Sequence, residues 1–290
     1  MRILLALLTL SLALCASAED KIKVVTSFSI LADMTRQIGA DKLELYNLVG
    51  ADADAHVYQP TAQDAKAVLD ADLIVANGLG FEPWLDRLIA SGEAPGTRID
   101  ASTGVLPLTL DEDGHRVADP HAWQNLANAE IYAQNITRAL SQVDPQNAEY
   151  YQARRDAYLA QIRSLLSEAK AKLGNLSPAQ RSIITSHDAF GYLGKAYGIN
   201  FIAPQGLSTE DEPSAATVAG LIRQIRADGV KAIFVENIRD PRLIEQIAAE
   251  SGAKVGGTLY SDALANEGPA STYLGMFKYN MDTLLAALQP

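Results

Sequence analysis

The chain has 290 residues, with 35 acidic against 24 basic side chains and a formal net charge of -11 at pH 7. So acidic a chain disfavours nucleic acid and anionic membranes as partners. Its one cysteine, Cys15, lies in the N-terminal apolar segment, so the rest of the chain has no thiol for a disulfide or for a metal.

The N-terminal residues predict export. Arg2 is followed by the apolar run ILLALLTLSLALC and by ASA at 16–18, the pattern of a cleaved secretory signal peptide. The run is shorter than the roughly 20 residues that a membrane-spanning helix needs. We therefore expect residues 1–18 to be removed and the mature protein to lie in the periplasm. A lipoprotein anchored through Cys15 is the second interpretation, disfavoured because Leu14 stands where a lipidation signal usually has a small residue.

The next part of the chain, residues 19–143, alternates β-rich and helical segments. Strands are predicted at 21–27, 42–50, 72–78 and 97–102, and helices at 30–39, 61–70 and 82–91. Gly39 is the expected C-cap of the first helix. A polar loop is predicted up to about residue 118. This order is typical of a parallel sheet covered by helices.

Residues 144–174 predict one long helix. Asp144 suits its N-cap, Pro145 its first turn and Gly174 its end. Apolar residues recur at spacings of three, four and seven and form one face: Tyr151, Tyr158, Ile162, Leu165, Ala169 and Leu173. At 1.5 Å per residue the helix would be roughly 45 Å long, enough to join two lobes.

The last part, residues 175–290, repeats the alternation. Strands are predicted at 182–186, 199–206, 231–237 and 254–261, and helices at 188–198, 214–229, 241–252 and 271–288. The whole chain therefore predicts an α/β protein with two lobes of mostly parallel sheet flanked by helices, joined by one long rigid helix.

Three of the four histidines fall at predicted strand or helix ends. His56 and His187 follow strands, and His121 lies at the start of a predicted helix, after Asp119 as N-cap and with Pro120 in the first turn. In open α/β sheets, ligands bind in the crevice outside the carboxyl ends of the strands. The three imidazoles are therefore expected to converge in the cleft between the lobes.

A carboxylate is the expected fourth ligand. Asp262 directly follows the predicted strand 254–261, and three imidazoles with one aspartate make a closed tetrahedral set suited to Zn²⁺. Asp188 and Glu210 are the reserve candidates. His115, in the polar loop, is interpreted as a solvated side chain or an auxiliary metal contact.

Five segments resemble the signatures of the periplasmic metal-binding proteins that serve zinc and manganese ABC importers. These segments are HVYQPTAQD, NGLGFEPWL, DPHAW, TSHDAFGYL and LYSDAL, and they span nearly the whole chain in the order of that family. The resemblance implies two lobes joined by one long helix and a membrane permease as partner. It also implies one transported Zn²⁺ per chain, with ligands His56, His121, His187 and Asp262.

The same resemblance bears on the choice of metal. Manganese-selective members have glutamate where this chain has His187, which favours zinc and leaves manganese as the alternative. Zinc-binding members often carry a long histidine-rich loop before DPHAW, whereas here the loop has one histidine and several acids. The chain resembles most the loop-poor subgroup called AztC. A partner such as a periplasmic metallochaperone is expected to dock on this loop, and the protein is expected to be a monomer.

An enzyme is the main alternative from another class. A zinc-dependent hydrolase needs an open metal position and a general base, and the H-E-x-x-H motif is absent. Ser186, His187 and Asp188 are adjacent in sequence, unlike the members of a serine triad. A metal-binding adhesin, the third class, would more naturally be lipid-anchored. We therefore expect a metal carrier without catalytic activity.

Overall fold

The protein is described by a computed structural model over residues 21–92, 96–112, 114–230 and 232–288. The predicted signal peptide and Cys15 lie outside these residues. Within them the chain forms two four-stranded parallel sheets, one two-stranded antiparallel sheet, and helices packed around the two larger sheets. The predicted fold class is confirmed.

The first sheet is built from β1 (Ile22–Phe28), β2 (Leu43–Val49), β3 (Leu73–Ala76) and β4 (Thr97–Asp100) in the order β2-β1-β3-β4. Helices α1 (Ser29–Gly39), α2 (Ala62–Asp70) and α3 (Pro83–Ser91) connect these strands. All four residues of β3 are buried, as expected of a strand covered on both faces. Every strand and helix predicted here is present, with its ends shifted by at most a few residues.

The predicted cap of α1 is wrong in detail. Gly39 is the last helical residue, and the positive φ of 45° falls on Ala40 instead. Glycine is needed at position 39 for a different reason, because a Cβ there would lie 2.2 Å from the Leu43 side chain.

The polar loop contains a hairpin that the sequence pattern did not predict. β5 (Thr109–Glu112) pairs antiparallel with β6 (His115–Ala118). Asp113-Gly114 is a hairpin-turn signal in the sequence, and Gly114 has a φ of 81°. Few apolar residues alternate along either strand, which is why the segment was predicted to be a loop.

Two antiparallel helices follow the hairpin, α4 (Leu126–Val143) and α5 (Ala148–Leu173). A 3₁₀ turn at Pro145–Asn147 separates them, so the predicted helix 144–174 begins four residues later than expected. Asp144 accepts hydrogen bonds from Tyr151 Oη at 2.5 Å and Asn147 Nδ2 at 2.8 Å. All six residues of the predicted apolar face are buried, so the predicted face of α5 is confirmed.

The second sheet contains β7 (Ser182–Ile184), β8 (Asn200–Ile202), β9 (Ala232–Glu236) and β10 (Lys254–Leu259) in the order β10-β9-β7-β8. Helices α6 (Gly191–Tyr197), α7 (Ala215–Asp228), α8 (Arg242–Ser251) and α9 (Tyr273–Leu288) surround it. The strands are parallel, so their carboxyl ends lie along one edge of the sheet, as in the first sheet.

One hydrophobic core runs through most of the molecule. It extends from the first sheet through α4, α5, α6 and α9 to the second sheet, while a smaller core lies beneath α7 and α8. Because α5 contacts α1, α4 and α9, it connects helices of both halves. The lobe boundaries 19–143 and 175–290 remain predictions. Among the described helices, none combines the length and the apolar character needed to cross a bilayer.

Ile162→Ala should lower the free energy of unfolding by about 2–5 kcal/mol, because it removes a fully buried side chain from α5 and leaves a cavity. Gln161→Ala, at the exposed neighbouring position, should change it by less than about 0.5 kcal/mol. Urea unfolding followed by circular dichroism measures both. An equal loss of unfolding free energy in the two variants would contradict the assignment of Ile162 to the buried face of α5.

Candidate metal centre

Four side chains from distant parts of the chain meet in one buried cluster. His56, His121, His187 and Asp262 each offer one ligand atom, and these atoms lie within 4.8 Å of one another. The Asp262 carboxylate is central: its oxygens lie 3.2 Å from His56 Nε2, 3.7 Å from His121 Nε2 and 3.1 Å from His187 Nε2. All three imidazoles therefore turn Nε2 towards the same carboxylate.

The distances between the imidazole Nε2 atoms and the Asp262 oxygens suit a four-coordinate ion. Donors about 2.0–2.1 Å from a tetrahedral ion lie about 3.3 Å from one another. The three distances from Asp262 scatter around that value. His121 Nε2 and Asp262 Oδ1 are buried and have no hydrogen-bond partner in the described part of the chain. A bound cation would satisfy both atoms, whereas burial without a partner is unfavourable.

His56 is held by the loop that follows β2. Its backbone N–H donates to Asp54 Oδ1 at 2.9 Å, and Trp84 Nε1 donates to the carbonyl of Ala55 at 2.8 Å. The Phe81 ring meets the imidazole edge-on, with ring centres 4.8 Å apart. The loop is thus fixed by hydrogen bonds on its backbone and by an aromatic contact on its ring.

His121 is oriented by Asp119, although not in the predicted way. His121 occupies the N-cap position of a 3₁₀ turn at Ala122–Gln124, and α4 begins only at Leu126, where Asn125 caps it. Asp119 Oδ1 accepts from the His121 backbone N–H at 2.9 Å and lies 2.8 Å from Nδ1. Because a carboxylate only accepts, a proton on Nδ1 points to Asp119, and Nε2 is the nitrogen that faces the cluster.

His187 is oriented in the same manner by Glu236, at the end of β9. Glu236 Oε2 lies 2.6 Å from His187 Nδ1, and Oε1 accepts the backbone N–H groups of Ser186 at 2.7 Å and His187 at 3.0 Å. The carboxylate therefore fixes both the ring and the backbone of this residue. Carboxylate–imidazole pairs of this kind accompany most metal-binding histidines.

Asp262 lies in the loop after β10, and residues from the first half of the chain hold this loop in place. The carbonyl of Ser261 accepts from Trp123 Nε1 at 2.9 Å and from Gln124 Nε2 at 2.6 Å. Trp123 also packs against the His121 ring, with centres 5.2 Å apart. The segment that places His121 therefore also places Asp262.

Burial and neighbouring charges shift the pKa values of the clustered side chains in opposite directions. Burial lowers the pKa of His56, and Asp262 only partly offsets this. Burial would also lower the pKa of His187, but the charges of Glu236 and Asp262 outweigh it and raise that pKa well above its usual range. Burial would raise the pKa of Asp262, but the charges of His187 and His121 bring it well below its usual range. A metal ion that binds His187 at neutral pH must therefore displace a proton.

Three residues considered from the sequence lie outside the cluster. His115 is exposed on β6, Asp188 is half-buried, and Glu210 is exposed. Two residues that orient the ring nitrogens were not recognised: Glu236 was overlooked, and Asp119 was predicted only as a helix cap. Glu236 lies at the carboxyl end of the predicted strand 231–237, so the rule that identified Asp262 also applied to it.

The fold and the buried cluster define a two-lobed metal-binding protein. Residues 24–287 match the profile of the family described as zinc-uptake complex component A, periplasmic (ZnuA), and the chain belongs to this family. The chain is the metal-binding, substrate-binding component of an ABC importer, with a membrane permease as partner, and not an enzyme.

Relatives with different named metals align over most of the chain. The manganese ABC transporter substrate-binding lipoprotein PsaA of Streptococcus pneumoniae is 34% identical over 94% of this chain and 90% of its own length. The iron ABC transporter substrate-binding lipoprotein MtsA of Streptococcus pyogenes serotype M1 is 33% identical over 93% and 90%. The periplasmic zinc-binding protein TroA of Treponema pallidum superimposes with a TM-score of 0.89 at 30% identity, covering 93% of this chain and all of that one.

Glu236→Gln should weaken zinc binding about 10- to 100-fold, because His187 would lose the carboxylate that fixes its ring and makes it more basic. Asp33→Asn is the matched control: Asp33 is also buried and accepts a backbone N–H, that of Tyr273, but it touches none of the four side chains. Competition with a chromophoric zinc chelator measures both affinities. Equal affinities in the two variants would show that Glu236 does not act through His187.

Proposed function

We propose that the transported metal is Zn²⁺ and that His56, His121, His187 and Asp262 are its four ligands. The observation that carries this proposal is the convergence of three imidazole Nε2 atoms and one carboxylate in a buried cluster. A closed, four-coordinate, nitrogen-rich set is typical of zinc. Manganese prefers more oxygen ligands and binds more weakly to a given set of donors.

Manganese is the second candidate, because a relative named for manganese, PsaA, shares about a third of its residues with this chain. The zinc-binding protein TroA is a comparably distant relative, so overall similarity gives neither metal an advantage. The donor set favours zinc, since three of its four atoms are nitrogens. His187 contributes one of these nitrogens, and glutamate stands at that position in manganese-selective members.

We propose further that residues 1–18 are a cleaved signal peptide and that the mature protein is a periplasmic monomer. The alternative, anchoring through Cys15, draws support from relatives that are named as lipoproteins. The mass of the exported protein distinguishes the two. A metallochaperone is proposed to dock on the β5–β6 hairpin, because Val117 and Ala118 line the cavity beside His56.

Protein purified without added metal and then titrated should bind one Zn²⁺ per chain, and Asp262→Ala should lose most of that affinity. The reason is that Asp262 supplies the only carboxylate within reach of all three imidazoles in the described part of the chain. Asp188→Ala is the control, since Asp188 neighbours His187 in sequence but is not a member of the cluster. Wild-type affinity in Asp262→Ala together with a loss in Asp188→Ala would overturn the ligand assignment.

His187→Glu should weaken zinc binding more than manganese binding and so narrow the difference between the two metals. The change replaces a nitrogen donor with oxygen, but the order should not reverse, because zinc exceeds manganese in intrinsic affinity. The metal-free variant should also be less stable than its parent, since a new carboxylate would face Asp262 and Glu236. Competition titrations with both metals and thermal unfolding measure these effects. An unchanged zinc-to-manganese ratio would place His187 outside the ligand set.

A further inference from the structure

His56 differs from the other three ligands in its exposure. His121, His187 and Asp262 are fully buried, whereas His56 is 8% exposed. It also lines a cavity of about 420 Å³ together with Phe81, Leu79, Leu207 and Glu210. The side of the cluster nearest to solvent is therefore the His56 side, and an ion that leaves by the shortest way passes this residue.

The segment just before His56 is attached to the second half of the chain by Asp52. Its N–H donates to the carbonyl of Leu264 at 2.9 Å, and Oδ1 accepts from Asn237 Nδ2 at 3.0 Å. Oδ2 accepts from the Asn266 backbone N–H at 3.2 Å and from Asn266 Nδ2 at 2.9 Å. Leu264 and Asn266 belong to the loop that carries Asp262. Asp52 thus joins the His56 loop to the Asp262 loop.

Asp54 makes a second attachment, closer to the ring. Its Oδ1 accepts the backbone N–H of His56 at 2.9 Å, and its Oδ2 accepts from Thr209 Oγ1 at 2.6 Å. Arg239 Nη1 lies 3.9 Å from the same carboxylate and donates to the carbonyl of Thr209 at 3.3 Å. One carboxylate therefore connects the backbone of a proposed ligand to the opposite side of the cleft.

The backbone at Asp52 has an uncommon conformation. Its φ is 54°, in the left-handed region that residues other than glycine seldom adopt, although aspartate tolerates it better than most. Such a conformation persists where the surrounding contacts determine it, and it often marks a functional segment. Here the contacts that determine it all cross the cleft.

We infer that Asp52 and Asp54 form a clasp between the two halves of the protein, which holds His56 over the metal ion and limits the rate at which the ion escapes. The clasp is defined as these two aspartates with their partners Thr209, Asn237 and Asn266. It rests on the ligand set proposed above. The shared core through α5 and α9 fixes the halves elsewhere, so separation at the clasp would open the cluster on the side where His56 lies.

The chemistry of the clasp suits reversible opening. Its contacts are hydrogen bonds from neutral amide and hydroxyl groups, and Asp52 and Asn266 are exposed to solvent. Water can replace the lost partners of exposed residues such as Asp52 and Asn266, so each of these bonds has a modest net effect on stability. A permease that competes for these groups could therefore release the ion without unfolding either half.

Thr209→Val tests the attachment through Asp54. The substitution preserves size but removes the hydroxyl that crosses the cleft, and it leaves the hydrogen bond from His56 to Asp54 in place. Zinc should dissociate about tenfold faster when chased with excess chelator in a stopped-flow experiment. Thr137→Val is the matched control, because Thr137 is equally buried and its hydroxyl donates within α4 to the carbonyl of Ala133.

Asp52→Asn tests the other attachment. Asparagine tolerates the left-handed backbone, but its amide cannot accept from both Asn237 and Asn266, so zinc should again dissociate faster. Asp72→Asn is the control, since Asp72 is also exposed and accepts the N–H of Lys23 within the first sheet region. Thermal unfolding of each metal-free variant separates a loss of overall stability from a loss of the clasp.

The outcomes are distinct. Faster release in Thr209→Val and Asp52→Asn, with wild-type release in both controls, supports the clasp. Wild-type release in both test variants overturns the clasp and leaves the zinc site intact. Faster release in the controls as well would show a general effect of stability and would also overturn it. A wild-type protein that fails to bind zinc overturns the proposed ligands, and the clasp with them.

Discussion

The cluster depends on the burial of the Asp262 carboxylate among three imidazoles. An ionised carboxylate away from water is unfavourable unless positive charge or hydrogen-bond donors surround it. In the metal-free protein the raised pKa of His187, which follows from the charges of Glu236 and Asp262, supplies that positive charge. A divalent cation bound at the proposed ligands would supply more of it and would contact all four groups at once. The same carboxylates therefore attract either a proton or a metal ion to this site, and the metal must displace the His187 proton to bind.

Two further carboxylates determine which imidazole nitrogen is available. Asp119 and Glu236 lie 2.8 and 2.6 Å from the Nδ1 atoms of His121 and His187, so both rings present Nε2 to Asp262. Backbone hydrogen bonds hold both carboxylates in place. Asp119 accepts the N–H of His121, and Glu236 accepts two backbone N–H groups after β7. The ring orientations are therefore fixed by the backbone at strand ends, and a rigid set of donors discriminates between ions better than a flexible one.

The sequence predicted the fold well, because parallel strands and amphipathic helices have strong periodicities. All six predicted residues of the buried face of α5 are buried, and the three histidines and Asp262 meet as the strand-end rule requires. The predicted start of α4 was wrong, and the β5–β6 hairpin was predicted to be a loop. Both errors arose because local polar patterns do not show which hydrogen bonds a side chain will make. The sequence predicted Asp119 to be a helix cap, whereas in the structure its carboxylate contacts the His121 ring.

What the sequence could not show is how the two halves are joined around the cluster. Trp123 and Gln124 bind the carbonyl before Asp262, and Asp52 binds the loop after it, so hydrogen bonds from the first half of the chain reach the Asp262 loop on both sides. Residues separated by more than 130 positions make these contacts, and no local pattern indicates such pairs. Because the proposed ligands come from both halves, an ion bound to them would link the halves and stabilise the contacts across the cleft. With the proposed ligands, metal binding and closure of the cleft would therefore be coupled equilibria.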